Sequence, residues 1–369
     1  MRVMHVINGL DHGGAQRILL TIARALAERG CPQRVLATTR GGPHEAALRA
    51  LGVEVAVYGA RPWNLPGLVA WLRAWIRRDA PDLVHTHLWL ADFAAGGATV
   101  GMRGAPPLVS THHNAGERLA RWINRLYPRV YRRFAAVLPV SQAVAASLRA
   151  RGVTRALAPL PGASTPRDFG AADGSRAAAW PVPNRARPGG SPPLRGFTAA
   201  RLSPEKRLDL LLAAAGQLSF VEVVIAGEGP LEGALRAGTR ALPGARAAIV
   251  PWQDDIRPWL RATDVVAVCS RSEGLSQFVL EAMAVAKPVI ASAVGGNPEL
   301  VRHGVEGLLV PYGDLESLCS ALGRLHAEPA LRERLGAAAR ARFVGCFTAE
   351  RMLEKLLVVY EQVAHRLAA

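Results

Sequence analysis

The run S-R-S-E-G-L-S-Q-F-V-L-E-A-M-A (270–284) sets two carboxylates around the start of a helix. Glu273 and Glu281 have seven residues between them, and the apolar spacing after Gly274 predicts a helix opening near Gly274–Ser276. The first N–H groups of a helix lack intrahelical partners and carry the positive end of its dipole. Such an opening suits an anion, phosphate above all. A carboxylate on each side can accept hydrogen bonds from sugar hydroxyls. Taken alone, two glutamates at this spacing equally describe an ordinary helix start with a surface carboxylate.

A second run, A-R-L-S-P-E-K-R-L-D-L-L-L-A-A (200–214), follows a strand and places Arg201 and Lys206 in a turn from which both reach a diphosphate. Lys206 is one of only three lysines among 45 basic residues, the others being Lys287 and Lys355, so a compact ammonium stands out there. A solvated basic turn opening a helix would read the same way. I-A-G-E-G-P-L (225–231) puts two glycines after a strand, with Pro230 starting a helix. It is not a G-x-G-x-x-G fingerprint, and none occurs in the chain, which disfavours a nicotinamide dehydrogenase. Nearer the N-terminus, Gly13 and Gly14 follow the first strand, where a backbone can approach a ligand closely. His112, His113 and Asn114 follow the strand PLVST.

The elements that must position these groups alternate. Strands are predicted at 2–7, 34–38, 53–58, 82–87, 107–111 and 135–141, with helices between them, including 43–51, 66–78, 90–101 and 115–134. Residues 160–194 break the rhythm with Pro, Gly and Ser and read as an interdomain connection. The alternation restarts at RGFTAARL and continues through VEVVIAG, ARAAIVPW, DVVAVCS and KPVIASA to a long amphipathic helix, FTAERMLEKLLVVYEQVAHRL. The expected organisation is an N-terminal domain (1–165), a linker (166–194), a second domain (195–345) and a terminal helix (346–369) crossing back to the first. Two doubly wound α/β domains bind ligands at the carboxyl ends of their strands, and two such edges make a deep cleft.

Composition bounds the rest. A chain of 369 residues suits two domains, and 50% hydrophobic with 20% charged residues is a globular composition. Cysteines 31, 269, 319 and 346 show no C-x-x-C pair, so free, mostly buried thiols are expected rather than zinc or disulfides. No signal-peptide order opens the chain and no spanning run occurs, so a cytoplasmic protein is expected. A net charge of +16 draws anions, whether nucleotides, nucleic acid or anionic lipid.

Together these runs resemble glycosyltransferase family 4, the retaining family with the GT-B fold of two Rossmann-like doubly wound domains facing across a cleft. The resemblance covers nearly the whole chain. It is carried by GGAQR (13–17), HTHLWLADFAAG (85–96), STHHN (110–114), VLPVSQAVAASL (137–148), RLSPEKRLDLLL, VVIAGEGPLEGALR, ATDVVAVCSRSEGLSQFVLEAMAVAKPVIAS and VGGNPELVRHGVEGLLVP (294–311). It implies that Glu281 holds the nucleotide's ribose hydroxyls and Glu273 contacts the transferred sugar. Arg201 and Lys206 would neutralise the diphosphate, with Gly274 and the amides of Leu275 and Ser276 completing the cradle. His113 would touch the donor sugar near the reacting carbon, and Gly14 would lie beside the phosphate and the acceptor. It further implies retention of anomeric configuration, no cofactor and no metal. The chain departs from the family at PGAST (161–165), at Pro251 before Trp252, and at Ala286 where glycine is usual.

Residues 118–134, RLARWINRLYPRVYRRF, cluster Arg118, Arg121, Arg125, Arg129, Arg132 and Arg133 beside an arc of Leu119, Ile123, Leu126, Val130 and Phe134. Such a helix either lies on an anionic membrane or packs its apolar arc on the core with a solvated basic face, and Pro128 argues for a kink. The expected partners are a nucleotide-sugar donor, a sugar or lipid-linked acceptor, and an anionic surface at the inner membrane face. The rival readings are a nucleotide-sugar epimerase, a silent GT-B protein and a basic nucleic-acid binder. The last accounts for the charge but not for the acidic and basic constellation, so no specific nucleic acid is expected.

Overall fold

The computed structural model describes residues 1–59, 64–114, 121–154, 159–160, 177–182 and 192–368. The chain divides into two compact units, one of Met1–Ala163 with Ala349–Ala369 and the other of Ser164–Thr348.

The first unit runs β1 (Val3–Gly9), α1 (Gly14–Glu28), β2 (Gln33–Arg40), α2 (His44–Ala50), β3 (Glu54–Val57), α3 (Leu65–Asp79), β4 (Leu83–His87), α4 (Trp89–Ala98), β5 (Leu108–His112), α5 (Arg121–Tyr131), β6 (Phe134–Pro139) and α6 (Gln142–Ala150). Its six strands are parallel in the order β3-β2-β1-β4-β5-β6. Central strands of such a sheet are covered on both faces, which is why β4 and β5 are buried at every residue. Helix α1 packs Ile18, Leu19, Ile22 and Leu26 inward at helical spacing.

The second unit repeats the plan. It runs β7 (Leu194–Ala199), α7 (Leu208–Gln217), β8 (Val221–Ala226), α8 (Glu232–Ala241), β9 (Ala247–Val250), α9 (Arg257–Ala262), β10 (Val265–Val268), α10 (Gln277–Ala284), β11 (Val289–Ser292), α11 (Asn297–Leu300), β12 (Gly307–Val310), α12 (Leu315–Ala327) and α13 (Pro329–Cys346). The order β12-β11-β10-β7-β8-β9 is the first unit's order read from the other edge. Its core gathers Leu211, Val223, Ile225, Val265, Leu322 and Leu335. The last helix, α14 (Ala349–Ala368), belongs to the first unit, where it packs on α1 and β6.

Three expectations need correction. Strand β12 was not anticipated, because Gly304 and Gly307 punctuate the run and leave only residues 308–310 as an apolar stretch. The helix expected over 115–134 ends at Tyr131, and Phe134 opens β6, so Phe134 leaves the proposed apolar arc. Ile123, Tyr127 and Tyr131 form the packed face, Leu126 stays exposed, and Pro128 is accommodated inside the one helix. Among the cysteines only Cys269 is buried; Cys346 is exposed and the other two are intermediate. Arg118, Leu119 and the PGAST segment lie outside the described residues. Among the described residues no helix is long and apolar enough to cross a membrane.

Candidate active site

In each unit the strand order reverses between two central neighbours, β1 and β4 in the first, β7 and β10 in the second. Crevices at such reversals are the usual ligand sites of open parallel sheets, and the candidate residues collect there.

In the second unit, β7 ends at Ala199 and the chain turns through Arg201, which is exposed, into a 3-10 turn at Pro204–Lys206. Beyond β10 the chain passes Ser270 and Arg271 to Glu273. A backbone bond of 2.7 Å from Arg271 N–H to the Glu205 carbonyl ties the two turns together. Across this junction Lys206 Nζ donates to Glu273 Oε1 at 2.7 Å, joining two groups 67 positions apart. Burial raises the Glu205 carboxyl, but the Ser203 hydroxyl, its own backbone N–H, Lys206 and Arg201 bring it below its usual range. Arg207, at φ 47, is a non-glycine residue in the left-handed region; its guanidinium is fixed by Asp209 and the Tyr312 hydroxyl.

Glycines make the close approaches around this turn. Gly295, at φ +52, lies under Glu273, and a Cβ there would fall 1.7 Å from the Glu273 carbonyl oxygen. The N–H of Gly296 donates to that same oxygen at 3.2 Å. A Cβ at Gly227 would fall 1.9 Å from the Ala200 carbonyl, so the glycine turn after β8 seats the segment that carries Arg201. Helix α10 starts at Gln277 with Ser276 as its cap, the hydroxyl accepting from Val279 N–H at 3.4 Å. Gly274 and the buried Leu275 and Ser276 lead into it, and Glu281, 4% exposed, is its fifth residue. Glu281 thus sits little more than one turn in, because the helix begins after Ser276, at the C-terminal end of the expected opening at 274–276.

In the first unit, Gly14 is exposed at the first turn of α1, and the Gln16 side chain donates to the Gly9 carbonyl at 3.0 Å to hold the loop between them. His113 follows β5 and is 9% exposed. His87, the last residue of β4, meets it with Nδ1 at 3.2 Å from His113 Nε2. Burial, with the neighbouring His112, lowers the His113 pKa to about 3, so its imidazole is neutral near pH 7. Leu88, just after His87, takes φ 75 and ψ 152, the counterpart of Arg207 beside Lys206. Non-glycine residues in such regions persist only where their surroundings impose them.

Alternation along the strands sorts the polar groups of this unit onto two faces. His85, His87, Thr111 and His113 take one face. His85 bonds Tyr360 of α14 through Nδ1 at 2.6 Å and Thr111 Oγ1 through Nε2 at 2.8 Å. Thr86, Ser110 and His112 take the other face, around the fully buried Asp92. That carboxylate accepts from Thr86 at 2.5 Å, Ser110 at 2.7 Å and Tyr131 at 2.5 Å. His85, His87 and Asp92 carried no separate role in the sequence reading. The H-T-H spacing alone announces two histidines on one strand face, while the Asp92 network depends on which strands are neighbours.

Two doubly wound units in tandem, each with its candidate groups at the reversal of strand order, define the GT-B class of fold. The model for "Glycosyl transferases group 1" matches residues 194–328 and that for "Glycosyltransferase Family 4" matches residues 12–162. The chain belongs to this family of glycosyltransferases. It is 35% identical over 174 residues to the D-inositol 3-phosphate glycosyltransferase of Mycobacterium tuberculosis. That match takes in 44% of this chain and 36% of the relative, so it spans little more than a third of the curated protein. Among solved structures, Anabaena HepE in complex with UDP and glucose superposes with a TM-score of 0.82 at 21% identity, over 98% of this chain and 100% of that one. The sucrose-phosphate synthase of Thermosynechococcus elongatus gives 0.79 at 20% identity, over 98% and 99%.

Proposed function

We propose that this chain is a retaining glycosyltransferase that moves a sugar from a nucleoside-diphosphate sugar to an acceptor hydroxyl. The observation that carries the reading is the Lys206–Glu273 contact at the mouth of α10, beside the turn of Arg201. A lysine already paired with a carboxylate exchanges that partner for the donor's diphosphate, which releases Glu273 to the sugar hydroxyls. Arg201, Lys206, Gly274 and the amides of Leu275 and Ser276 then meet the charge that develops on the leaving diphosphate. Preorganised compensation of this kind supplies much of the rate in group transfer. Glu281 holds the ribose. His113, as a neutral imidazole, hydrogen-bonds the sugar near the reacting carbon, and Gly14 gives backbone access beside phosphate and acceptor. The complexes of HepE with UDP and with UDP-glucose support a uridine nucleotide as the first donor to try. Protein cations carry the compensation, so transfer proceeds without a catalytic metal.

The acceptor is a sugar or a lipid-linked sugar, and the role is in building cell-surface polysaccharide or glycolipid from the cytoplasmic side. Exposed Leu126 beside the exposed Arg125 and Arg129 on α5 supports peripheral contact with an anionic membrane. Flotation with anionic but not neutral vesicles checks that contact.

The test of the function is a thermal-shift screen of nucleotide sugars followed by proton NMR of the product. A donor that binds the native state raises the melting temperature. Retained anomeric configuration in the first product is the expected outcome. Failure of every nucleotide sugar to shift the melt, or an inverted product, overturns the reading.

A further inference from the structure

Three histidines of the first unit form a cluster that the transfer reaction does not use. His5 pairs in register with His85 across β1 and β4, and His87 follows two residues on, so strand geometry alone brings the three rings to one face. One ring nitrogen from each lies within 4.8 Å of the other two. The rings are fully buried, each at 0% exposure. Buried ring nitrogens normally find partners. Here neither nitrogen of His5 nor Nε2 of His87 has one among the described residues. The Gln33 side chain acts on His5, but its Oε1 closes no hydrogen bond. A buried cluster of three imidazoles in which both nitrogens of His5 and one of His87 lack a partner among the described residues is unusual as packing and ordinary as a ligand set.

We infer that the first unit binds one divalent transition-metal ion, of the zinc class, on His5, His85 and His87. Imidazole nitrogens without a carboxylate or carbonyl among them select zinc, cobalt or nickel over magnesium or calcium. Burial holds all three rings in the neutral form whose lone pairs can ligate, the His5 pKa falling to about 4 and the other two well below the usual value. The outer contacts already fit. His113 engages His87 through Nδ1, which leaves Nε2 for the ion, and His85 keeps either Tyr360 or Thr111 on one nitrogen while the other turns to the metal. Nitrogens bound at about 2.1 Å to one tetrahedral ion lie about 3.4 Å apart, so from separations within 4.8 Å the ring nitrogens draw together by up to about 1.4 Å. With its Nε2 on the metal, His87 carries its proton on Nδ1 and donates to His113 Nε2. The ion therefore clamps β1 to β4 and fixes the orientation of His113. It takes no part in charge compensation, which belongs to Arg201 and Lys206 of the other unit.

The test uses the full chain without a histidine tag, stripped by a chelator and loaded with Co2+ both after folding and during refolding. The expected result is one equivalent of Co2+ with the visible absorption of a low-coordinate nitrogen site, displaced by Zn2+, and a higher melting temperature with either ion. His87→Gln and His5→Gln are each expected to weaken binding at least about tenfold, the loss typical when metal-site partners are removed. His303→Gln, an exposed histidine of the second unit, keeps full uptake. The wild-type spectrum needs no variant, so it decides even if a variant fails to fold. Absence of that spectrum under both loading conditions overturns the site. So does equal uptake by folded His87→Gln, which would mean a surface site.

Discussion

At the carboxyl ends of its central strands the first unit buries neutral histidines and a hydroxyl-bound carboxylate, whereas the second presents a charged lysine and glutamate at partly exposed positions. The strand order is the same, so the difference lies in the turns and side chains that follow the strands. Neutral imidazole suits a hydrogen bond to a sugar hydroxyl, and a mobile ammonium suits a diphosphate. The contrast also predicts how each unit responds to damage: loss of the sealed Asp92 in the first unit costs stability, while loss of Lys206 at the mouth of α10 costs activity. Each unit keeps one strained residue beside its key group, Leu88 after His87 and Arg207 after Lys206.

The sharpest break of this comparison is Asp92→Ala. It removes the carboxylate to which the buried hydroxyls of Thr86, Ser110 and Tyr131 donate, leaving Thr86 the Val109 carbonyl at 3.2 Å and Tyr131 the longer contact with His112, and we expect a loss of about 3 kcal/mol of stability in chemical denaturation. Lys206→Ala is expected to cost little stability, about 1 kcal/mol or less, since the lysine side chain is 25% exposed. Its turnover should fall about 100-fold, the usual scale when one stabilising group is removed. Lys206→Arg should also fall, because a planar fork does not replace a point charge. Glu281→Ala should lose donor binding. Assay of the purified, folded variants decides these three.

Acid sharpens the contrast further. His112 is held near 3 by burial and by Arg151, against an ordinary value of 6.5. Between those values the unfolded chain binds the proton that the folded one refuses, so the first unit loses stability as pH falls from about 6.5 toward about 3. Each such proton contributes up to about 1.4 kcal/mol per pH unit. In the second unit His303 and His326 are not buried, so its amides should keep their protection to lower pH. Hydrogen exchange on metal-free protein, read unit by unit, is the measurement. The smallest expected effect belongs to Ala286, which takes φ 57 where glycine is unstrained. Ala286→Gly should stabilise the second unit by about 0.5–1 kcal/mol in denaturant titration.

Much of the fold was legible because apolar runs of period two alternate with runs of helical period. Strand β12 was not, since Gly304 and Gly307 break the run before its three apolar residues. Glu273, Glu281, Arg201 and Lys206 drew notice by type and spacing, yet nothing in the chain says that Lys206 bonds Glu273, because that depends on β7 and β10 lying side by side. The same holds for His5 and His85, 80 positions apart in sequence and paired in register. Asp92 reads as an ordinary helix residue until β4, β5 and α5 bring three hydroxyls to it. Phe134 was placed on a helix because a hydrophobic arc does not mark where the helix stops. Contacts between elements distant in sequence are fixed by sheet order, and sheet order leaves no local trace.

The central claim is that the second unit holds the nucleotide while His113 of the first serves the transfer. Calorimetric titration of UDP into folded Lys206→Ala and His113→Ala, with turnover measured on the same samples, tests it most directly. The account predicts that Lys206→Ala loses most of its UDP affinity, whereas His113→Ala keeps wild-type affinity and loses turnover at least about tenfold. Full UDP affinity in Lys206→Ala, or its loss in a folded His113→Ala, would contradict it.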